Sequence, residues 1–200
     1  NSTDYFLTDY GLEVRRENKT LIKYKLTDFF KFANSEIKIR QKRYNHPKGF
    51  QYNIEDTSNK LLKFKIIDDK LWIISTFGFF VLDENNKPLE YYYYFTSNIE
   101  KDFDNEIIFQ QPHIEIFKTK NYKDNFDLIK FPLTDKNNPK DIIEILKTED
   151  KIFFFSSSSG LYKYQNGLFT SFLNQSIWEE KNLTFAKKIN NNQFAISNAQ

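Results

Sequence analysis

The chain has 200 residues, of which 40% are apolar and 18% aromatic, and this is enough for one packed domain. Its 29 basic and 27 acidic residues leave a net charge of +2, which does not indicate nucleic-acid binding. The absence of cysteine excludes disulfides, cysteine-ligated zinc and a thiol nucleophile.

No apolar run approaches the ~20 residues of a membrane helix, and no signal-peptide pattern is present. Because the chain contains no methionine, not even an initiating one, we expect it to be a piece of a longer protein. The local basic stretch Lys38–Lys48 fits a solvated loop.

One short pattern recurs along the chain. In its two strongest copies, "DDKLWIISTFGFFVL" and "EDKIFFFSSSSGLYKY", an acidic turn precedes an apolar strand that reaches serine, and a glycine opens the next strand. In chain order the copies are Tyr5–Val14, Ser35–Tyr52, Asp68–Leu82, Asp104–Phe117, Glu149–Tyr164 and Asn191–Gln200. Their anchors, 33, 34, 36, 45 and 41 residues apart, are Tyr5, Lys38, Trp72, Ile108, Phe153 and Phe194. Repeats of this length include the four-stranded propeller blade of ~40–45 residues.

Each copy predicts strands and turns. In the fifth copy, "DIIEIL", "KIFFFS", "GLYKY" and "LFTSF" read as four successive strands. The Asp- and Asn-rich turns suit hairpins because these residues tolerate left-handed backbone geometry. The glycine permits a close approach that a side chain would block. The best helix candidate, "NPKDIIEILKTED", takes the place of a first strand, and we expect no long helix.

The predicted fold is all-β: a β-propeller built of four-stranded antiparallel blades, present as an incomplete fragment with four complete blades. The predicted limits are a partial blade at 1–28, blades at 29–60, 61–100, 101–138 and 139–180, and a partial blade at 181–200. Residues expected to be buried between neighbouring sheets are Trp72, Ile73, Ile74, Phe153, Phe154 and Phe194. We expect Tyr91–Tyr94 on an outer strand rather than in a sugar-stacking platform.

These motifs resemble the two-component-regulator propeller repeat, whose unit reads roughly D-G-x-I/L-W-I-G-T-x-x-G-L-x-x-Y. The matching residues are Asp69, Leu71, Trp72, Ile73, Thr76, Gly78 and Phe79 in one copy, Asp150, Ile152, Phe153, Gly160, Leu161 and Tyr164 in another, and Gly11 and Leu12 near the start. The chain departs from the pattern where lysine replaces a glycine (Lys70, Lys151) and where serine replaces the glycine of G-T (Ser75, Ser156).

The resemblance implies the periplasmic or extracytoplasmic sensing portion of a bacterial membrane regulator. The implied ligand is an oligosaccharide or another small polar molecule, and the implied protein partner is a second copy bound through the propeller. We expect no cofactor, no metal, no enzymatic activity and no nucleic acid bound by this fragment, and membrane contact only through missing downstream segments. Two other classes remain open: a propeller that serves only as an interaction or dimerisation scaffold, and part of a secreted propeller enzyme.

No catalytic constellation is visible in the sequence. The only two histidines lie in no metal-binding spacing such as HExxH, and Ser156–Ser159 lack the G-x-S-x-G elbow. We expect ligand binding on the turns that join second and third strands, because variable turns on a rigid scaffold often carry specificity. The candidate residues are Asp9, Tyr10, Arg43, Tyr44, His46, Phe77, Gln111, His113, Ser157 and Ser158.

Overall fold

The computed structural model describes residues 3–44, 58–92, 96, 98–110, 116–119, 129–130, 142–156, 160–166, 168–171, 183–190 and 193–198. The chain divides into two compact units, Asn1–Phe95 and Thr96–Gln200. Within the described residues, no helix is both long and apolar enough to cross a membrane.

The described residues of the first unit form two antiparallel sheets and a helix. One sheet has the strand order β1-β2-β3 and the other β4-β5-β6-β7, so each strand pairs with the next one along the chain. The elements are β1 Thr3–Thr8, β2 Gly11–Arg16, β3 Lys19–Lys25, α1 Leu26–Tyr44, β4 Leu61–Ile67, β5 Lys70–Ser75, β6 Gly78–Leu82 and β7 Pro88–Tyr92.

Two-residue turns with a left-handed backbone close two of these hairpins. The φ angles are 51° and 61° at Glu17 and Asn18, and 48° and 58° at Asp68 and Asp69. Positive φ at both central positions is the geometry of a type I′ turn, whose twist matches that of the strands it joins. The turn chemistry predicted for the acidic pair before β5 is therefore confirmed.

The helix α1 lies where the sequence predicted strands. The blade expected at 29–60 and the copy at Ser35–Tyr52 are wrong in their described part, while 45–57 lie outside the described residues. The alternation of Ile37 and Ile39 suggested a strand, but Ile39 is exposed and only Ile37 packs against the core. The described sheets accordingly include three with four strands, not the four complete blades expected.

Helical spacing and a capping contact explain α1. The Lys25 amide donates a hydrogen bond to the Asp28 carboxylate at 2.8 Å, which satisfies one backbone donor at the start of the helix. Apolar side chains then recur three and four residues apart on the face that packs against the core: Leu26, Phe29, Phe30, Ala33 and Ile37.

Aromatic contacts join α1 to the second sheet of this unit. The Phe29 ring meets Phe80 edge-on at 5.0 Å, and Phe30 stacks on Phe77 at 4.5 Å. Strands of both sheets supply the rest of the buried cluster: Leu12, Val14, Leu61, Leu71, Ile73, Leu82 and Tyr91. The helix thus belongs to the core of the first unit.

In the described part of the second unit, three antiparallel sheets have the strand orders β8-β9-β10-β11, β12-β13-β14-β15 and β16-β17. Their strands are β8 Asn98–Lys101, β9 Ile107–Gln110, β10 Ile116–Thr119, β11 Ile129–Lys130, β12 Ile142–Lys147, β13 Ile152–Ser156, β14 Gly160–Gln165, β15 Leu168–Ser171, β16 Leu183–Asn190 and β17 Gln193–Asn198. The segment that was the best helix candidate forms β12, as predicted.

The three consecutive phenylalanines of β13 face two different cores. Phe154 packs with Ile108 of β9 on one side. Phe153 and Phe155 contact the Phe194 ring of β17 on the other, at 5.0 and 5.5 Å. Because sheets cover both faces, the strand is apolar throughout, as a continuous apolar run predicts.

The structure confirms most of the predicted core. Buried residues on β5 and β13 are Trp72, Ile73, Ile74, Phe153 and Phe154. Phe194 was expected to be buried and is only partly so, because β17 is the last described strand of its sheet. Tyr91 and Tyr92 lie on the outer strand β7 and are buried, while Tyr93 and Tyr94 lie outside the described residues.

Gly11 and Gly78 open equivalent strands at a point where a backbone carbonyl approaches. A Cβ atom at Gly78 would lie 2.3 Å from the Tyr92 carbonyl oxygen, and one at Gly11 would lie 2.4 Å from that of Tyr24. Gly78 also has a φ of 133°, which side-chain-bearing residues rarely adopt. The close approach predicted for the glycine of the repeat is confirmed.

We expect alanine to destabilise the protein at both glycines and to cost more at Gly78. Only Gly78→Ala adds a strained backbone conformation to the clash, which should enlarge the loss of unfolding free energy by about 1–3 kcal/mol over Gly11→Ala. Denaturant titration of the two full-length variants measures the difference. Equal losses would show that the positive φ contributes nothing.

Replacing Phe153 by alanine should lower the free energy of unfolding by about 3–5 kcal/mol, because it empties a filled space between two sheets. Phe185→Ala is the matched control, since Phe185 belongs to the same unit and is 48% exposed. The control should change stability by less than about 0.5 kcal/mol. A loss below about 1 kcal/mol for Phe153→Ala would contradict the packing described for β13.

Candidate functional site

Two predicted binding residues, Asp9 and Tyr10, form the turn between β1 and β2. Tyr10 is 70% exposed, which makes its ring available to a ligand. The backbone of this turn is held in place, because the Asp9 carbonyl accepts from the Leu61 amide at 3.0 Å and the Tyr10 carbonyl accepts from the Leu26 amide at 2.7 Å. A rigid backbone therefore presents an exposed aromatic side chain.

The turn between β5 and β6 reaches the same end of the first unit. The Thr76 amide donates to the Lys60 carbonyl at 3.0 Å, and the Lys60 ammonium lies 3.8 Å from the Asp9 carboxylate. Lys60 thus connects two of the turns that were predicted to carry binding residues. The Lys60–Asp9 ion pair is exposed and contributes little to stability.

Phe77 is not available for binding. It lies in the β5–β6 turn as predicted, but it is only 1% exposed. Its ring stacks on Phe30 of α1, and its carbonyl accepts the Tyr91 hydroxyl at 2.5 Å. The prediction was wrong for this residue because the turn folds inward over a helix that the sequence analysis did not anticipate.

Of the other predicted site residues, two lie in α1 and the rest lie outside the described residues. Arg43 and Tyr44 were expected in a hairpin turn, but they belong to the last turn of α1. The remaining candidates lie outside the described residues: His46, Gln111, His113, Ser157 and Ser158.

A concave site occurs in the second unit, at the ends of strands that the prediction left aside. The cavity measures about 310 Å³ and is referred to below as the turn pocket. Three different turns form it: β8–β9, β12–β13 and the segment after β14. Its lining residues are Asp102, Phe103, Asp104, Asp150, Tyr164 and Asn166.

The β8–β9 turn is shaped by the carboxylate of Asp102. This carboxylate accepts hydrogen bonds from the amides of Asp104 and Glu106 at 2.9 and 2.8 Å. Asn105 has a φ of 60°, and the Asp102 amide donates to the Glu106 carbonyl at 2.9 Å. Asp102 is 3% exposed, so its role is to fix the turn.

The first unit contains the same turn between β6 and β7. There the Asp83 carboxylate accepts from the amides of Asn85 and Lys87 at 2.9 and 2.8 Å, and Asn86 has a φ of 60°. The second position of this turn holds the exposed Glu84, where the turn pocket has Phe103. The turn geometry therefore does not require an aromatic residue at that position.

Two lysines link consecutive sheets of the second unit near the turn pocket. The Lys147 ammonium donates to the Asp102 carbonyl at 2.7 Å, and the Lys188 ammonium donates to the Lys147 carbonyl at 2.8 Å. Lys147 lies at the end of β12, and Lys188 lies on β16. The Lys147 ammonium also lies 4.9 Å from the centre of the Phe103 ring, within cation–π range.

The carboxylate of Asp150 is held in its ionised form. Hydrogen bonding from the Lys151 ammonium at 2.7 Å is the main reason that the pKa of Asp150 lies below its usual range. Gln165 donates to the same oxygen at 3.1 Å. The rim of the turn pocket thus presents a charged acceptor at neutral pH.

The chemistry of the turn pocket is that of binding through acceptors and an aromatic ring. Among the described residues, no group of three or more His, Cys, Asp or Glu side chains is arranged to hold a metal ion. The sequence alone does not indicate this site, because its aspartates fit the chemistry of turns. The one available signal was Phe103, an aromatic residue between two aspartates in a polar turn.

No protein-family model matches the sequence, and no match was found among curated proteins. Solved structures do match. The extracellular domain assigned to a one-component system of B. thetaiotaomicron is 11% identical over 97% of this chain, with a TM-score of 0.55. The extracellular domain assigned to a hybrid two-component system of the same organism is 14% identical over 92%, with a TM-score of 0.52.

A chain of the BBS1N complex with ARL6DN is also similar, at 8% identity over 84% of this chain and a TM-score of 0.50. This chain spans 24%, 28% and 48% of the length of the first, second and third of these structures. At such low identity the similarity establishes the fold and leaves function open. The fold is that of part of a β-propeller, and among the described residues one helix accompanies the four-stranded antiparallel sheets.

Proposed function

We propose that this chain is an extracytoplasmic ligand-sensing part of a bacterial signal-transduction regulator and has no catalytic role of its own. The observation that carries the proposal is the similarity of fold, over nearly the whole chain, to extracellular domains assigned to two such regulators. The repeat motifs resemble the same class of protein. The fold similarity and the repeat motifs thus support the same proposal.

The surface chemistry supports a polar ligand with an apolar face. The turns at the strand ends combine exposed aromatic side chains, such as Tyr10, with carboxylates and a lysine. They are carried by hydrogen-bonded sheets, which is the arrangement in which loops commonly bind. We therefore take oligosaccharides as the first ligand class to test, and the turn of Asp9 and Tyr10 remains a proposed contact surface.

The proposed location can be tested with single cysteines, because the chain contains none. Glu84 is exposed in the β6–β7 turn, so Glu84→Cys in the full-length protein should react with a membrane-impermeant maleimide on intact spheroplasts. Ser75→Cys is the matched control, since Ser75 is 1% exposed and should not react in the folded protein. Labelling of Glu84→Cys only after lysis would contradict an extracytoplasmic location.

Ligand binding can be tested by thermal unfolding of the full-length protein with a panel of defined oligosaccharides. A ligand that binds only the folded state stabilises it, by about 2.7 kcal/mol at a hundredfold excess over Kd. We expect at least one oligosaccharide to raise Tm in proportion to the logarithm of its concentration. The corresponding monosaccharide mixture serves as the control for nonspecific effects.

If no oligosaccharide raises Tm, the proposed ligand class is wrong. An unchanged Tm together with a stable homodimer would favour the scaffold alternative. Hydrolysis or elimination of a tested oligosaccharide by the purified protein would contradict the absence of a catalytic role.

A further inference from the structure

We propose that the turn pocket binds one ring of the ligand, with Phe103 as the stacking surface. The class of ligand inferred from the pocket is a small ring compound with an apolar face and hydroxyl donors at its edge, such as a saccharide unit. This inference rests on the proposed function and assigns it a place that the sequence analysis did not consider.

Phe103 carries the argument because neither the turn nor the core accounts for it. The matching turn at Asp83 keeps the same hydrogen bonds and the same left-handed asparagine with a glutamate at the second position. Phe103 is 43% exposed, although exposing a phenylalanine brings no hydrophobic stabilisation. An exposed aromatic residue at the wall of a cavity is a feature of binding sites.

Lys147 contacts both the backbone beside Phe103 and its ring. Its ammonium donates to the carbonyl of Asp102, the residue before Phe103, and lies 4.9 Å from the ring centre. The Asp102 carboxylate accepts from amides of the same turn. Because the backbone of the turn is held by these bonds, little backbone freedom is lost when a ligand stacks on the ring.

The rim of the pocket selects for hydrogen-bond donors. Asp104, Asp150 and the amide of Asn166 supply oxygen acceptors around the ring, and Tyr164 adds a hydroxyl group. A hydroxyl-bearing ligand satisfies such acceptors without adding charge. The Lys147 ammonium lies beside the Phe103 ring and the Lys151 ammonium beside the Asp150 carboxylate, so two of the pocket's groups already have a cationic neighbour.

The size of the pocket limits what it can hold. A cavity of about 310 Å³ is at the lower end of the range for small-molecule sites, so it accommodates one ring rather than a long chain. The remainder of an oligosaccharide would extend into solvent from the three turns.

The test is the affinity of the full-length protein and its variants for the oligosaccharide that raises Tm most, measured by calorimetry. Phe103→Glu reproduces the residue of the matching turn, so the fold should be retained. Loss of a central aromatic anchor should weaken binding by roughly tenfold or more. Glu84→Ala, at the same position of the matching turn, should leave the affinity unchanged, and Phe103→Ala covers the case in which Phe103→Glu does not fold.

The outcomes separate this inference from the proposed function. Binding by the wild type that both Phe103 variants retain would overturn the turn pocket as the site and leave the sensing function intact. Failure of the wild type to bind any oligosaccharide would overturn this inference and the proposed ligand class, and would leave the extracytoplasmic location to be judged by the cysteine labelling. Tighter binding of spermidine than of any oligosaccharide, abolished by Phe103→Ala, would keep the site and overturn the hydroxyl-rich ligand.

Discussion

The second unit depends on one constraint, which is that both faces of β13 must be covered. The three phenylalanines of β13 can all be buried only if another sheet lies on each side. Full burial of such a side chain stabilises the fold by roughly 1.5–3 kcal/mol relative to exposure. An isolated sheet would therefore lose most of the stabilisation that these phenylalanines provide. The sheets must therefore occur in series, as in other repeat folds.

The apolar residues of β5 and β13 are buried on both faces of their strands, so these strands leave no apolar side chain for a ligand. Next to them, ligand contacts can fall on the turns. The turns of Asp102 and Asp83 have the same backbone structure, because in each the aspartate carboxylate accepts hydrogen bonds from the turn amides. They differ at the next position, which holds Phe103 in one turn and Glu84 in the other. Lys147 and Lys188 link successive sheets of the second unit by hydrogen bonds to backbone carbonyls.

The strands were predictable because their signals are local. The apolar run before Ser156 and the acidic pair Asp68–Asp69 each specify their own local structure, and the structure confirms both. The helix was missed because two periodicities compete in its sequence. Ile37 and Ile39 alternate as in a strand, whereas Phe30, Ala33 and Ile37 follow helical spacing, and the contact of Asp28 with the Lys25 amide favours the helix.

The site was less predictable because it depends on which turns meet. Asp104 and Asp150 come from different sheets, and no local pattern brings them together. Phe77 shows the opposite error, since its position in a turn suggested exposure, while packing on Phe30 of an unforeseen helix buries it. Tyr10 was placed correctly in an exposed turn because that turn depends only on the hairpin around it.

Burial on both faces has a consequence for strand pairing. In a sheet with one solvent-exposed face, shifting the strand register by one residue exposes the apolar side chains to water. This cost fixes the register of such a sheet. A one-residue register shift of β5 would not expose the apolar residues in the middle of the strand, because both of its faces are covered. The penalty falls on Ser75 at its end, which is buried, donates to the Gly78 carbonyl at 2.7 Å and accepts from the Phe77 amide at 3.3 Å. Ser75 and Gly78, at the ends of adjacent strands, therefore specify one strand register among several that the hydrophobic residues alone would permit.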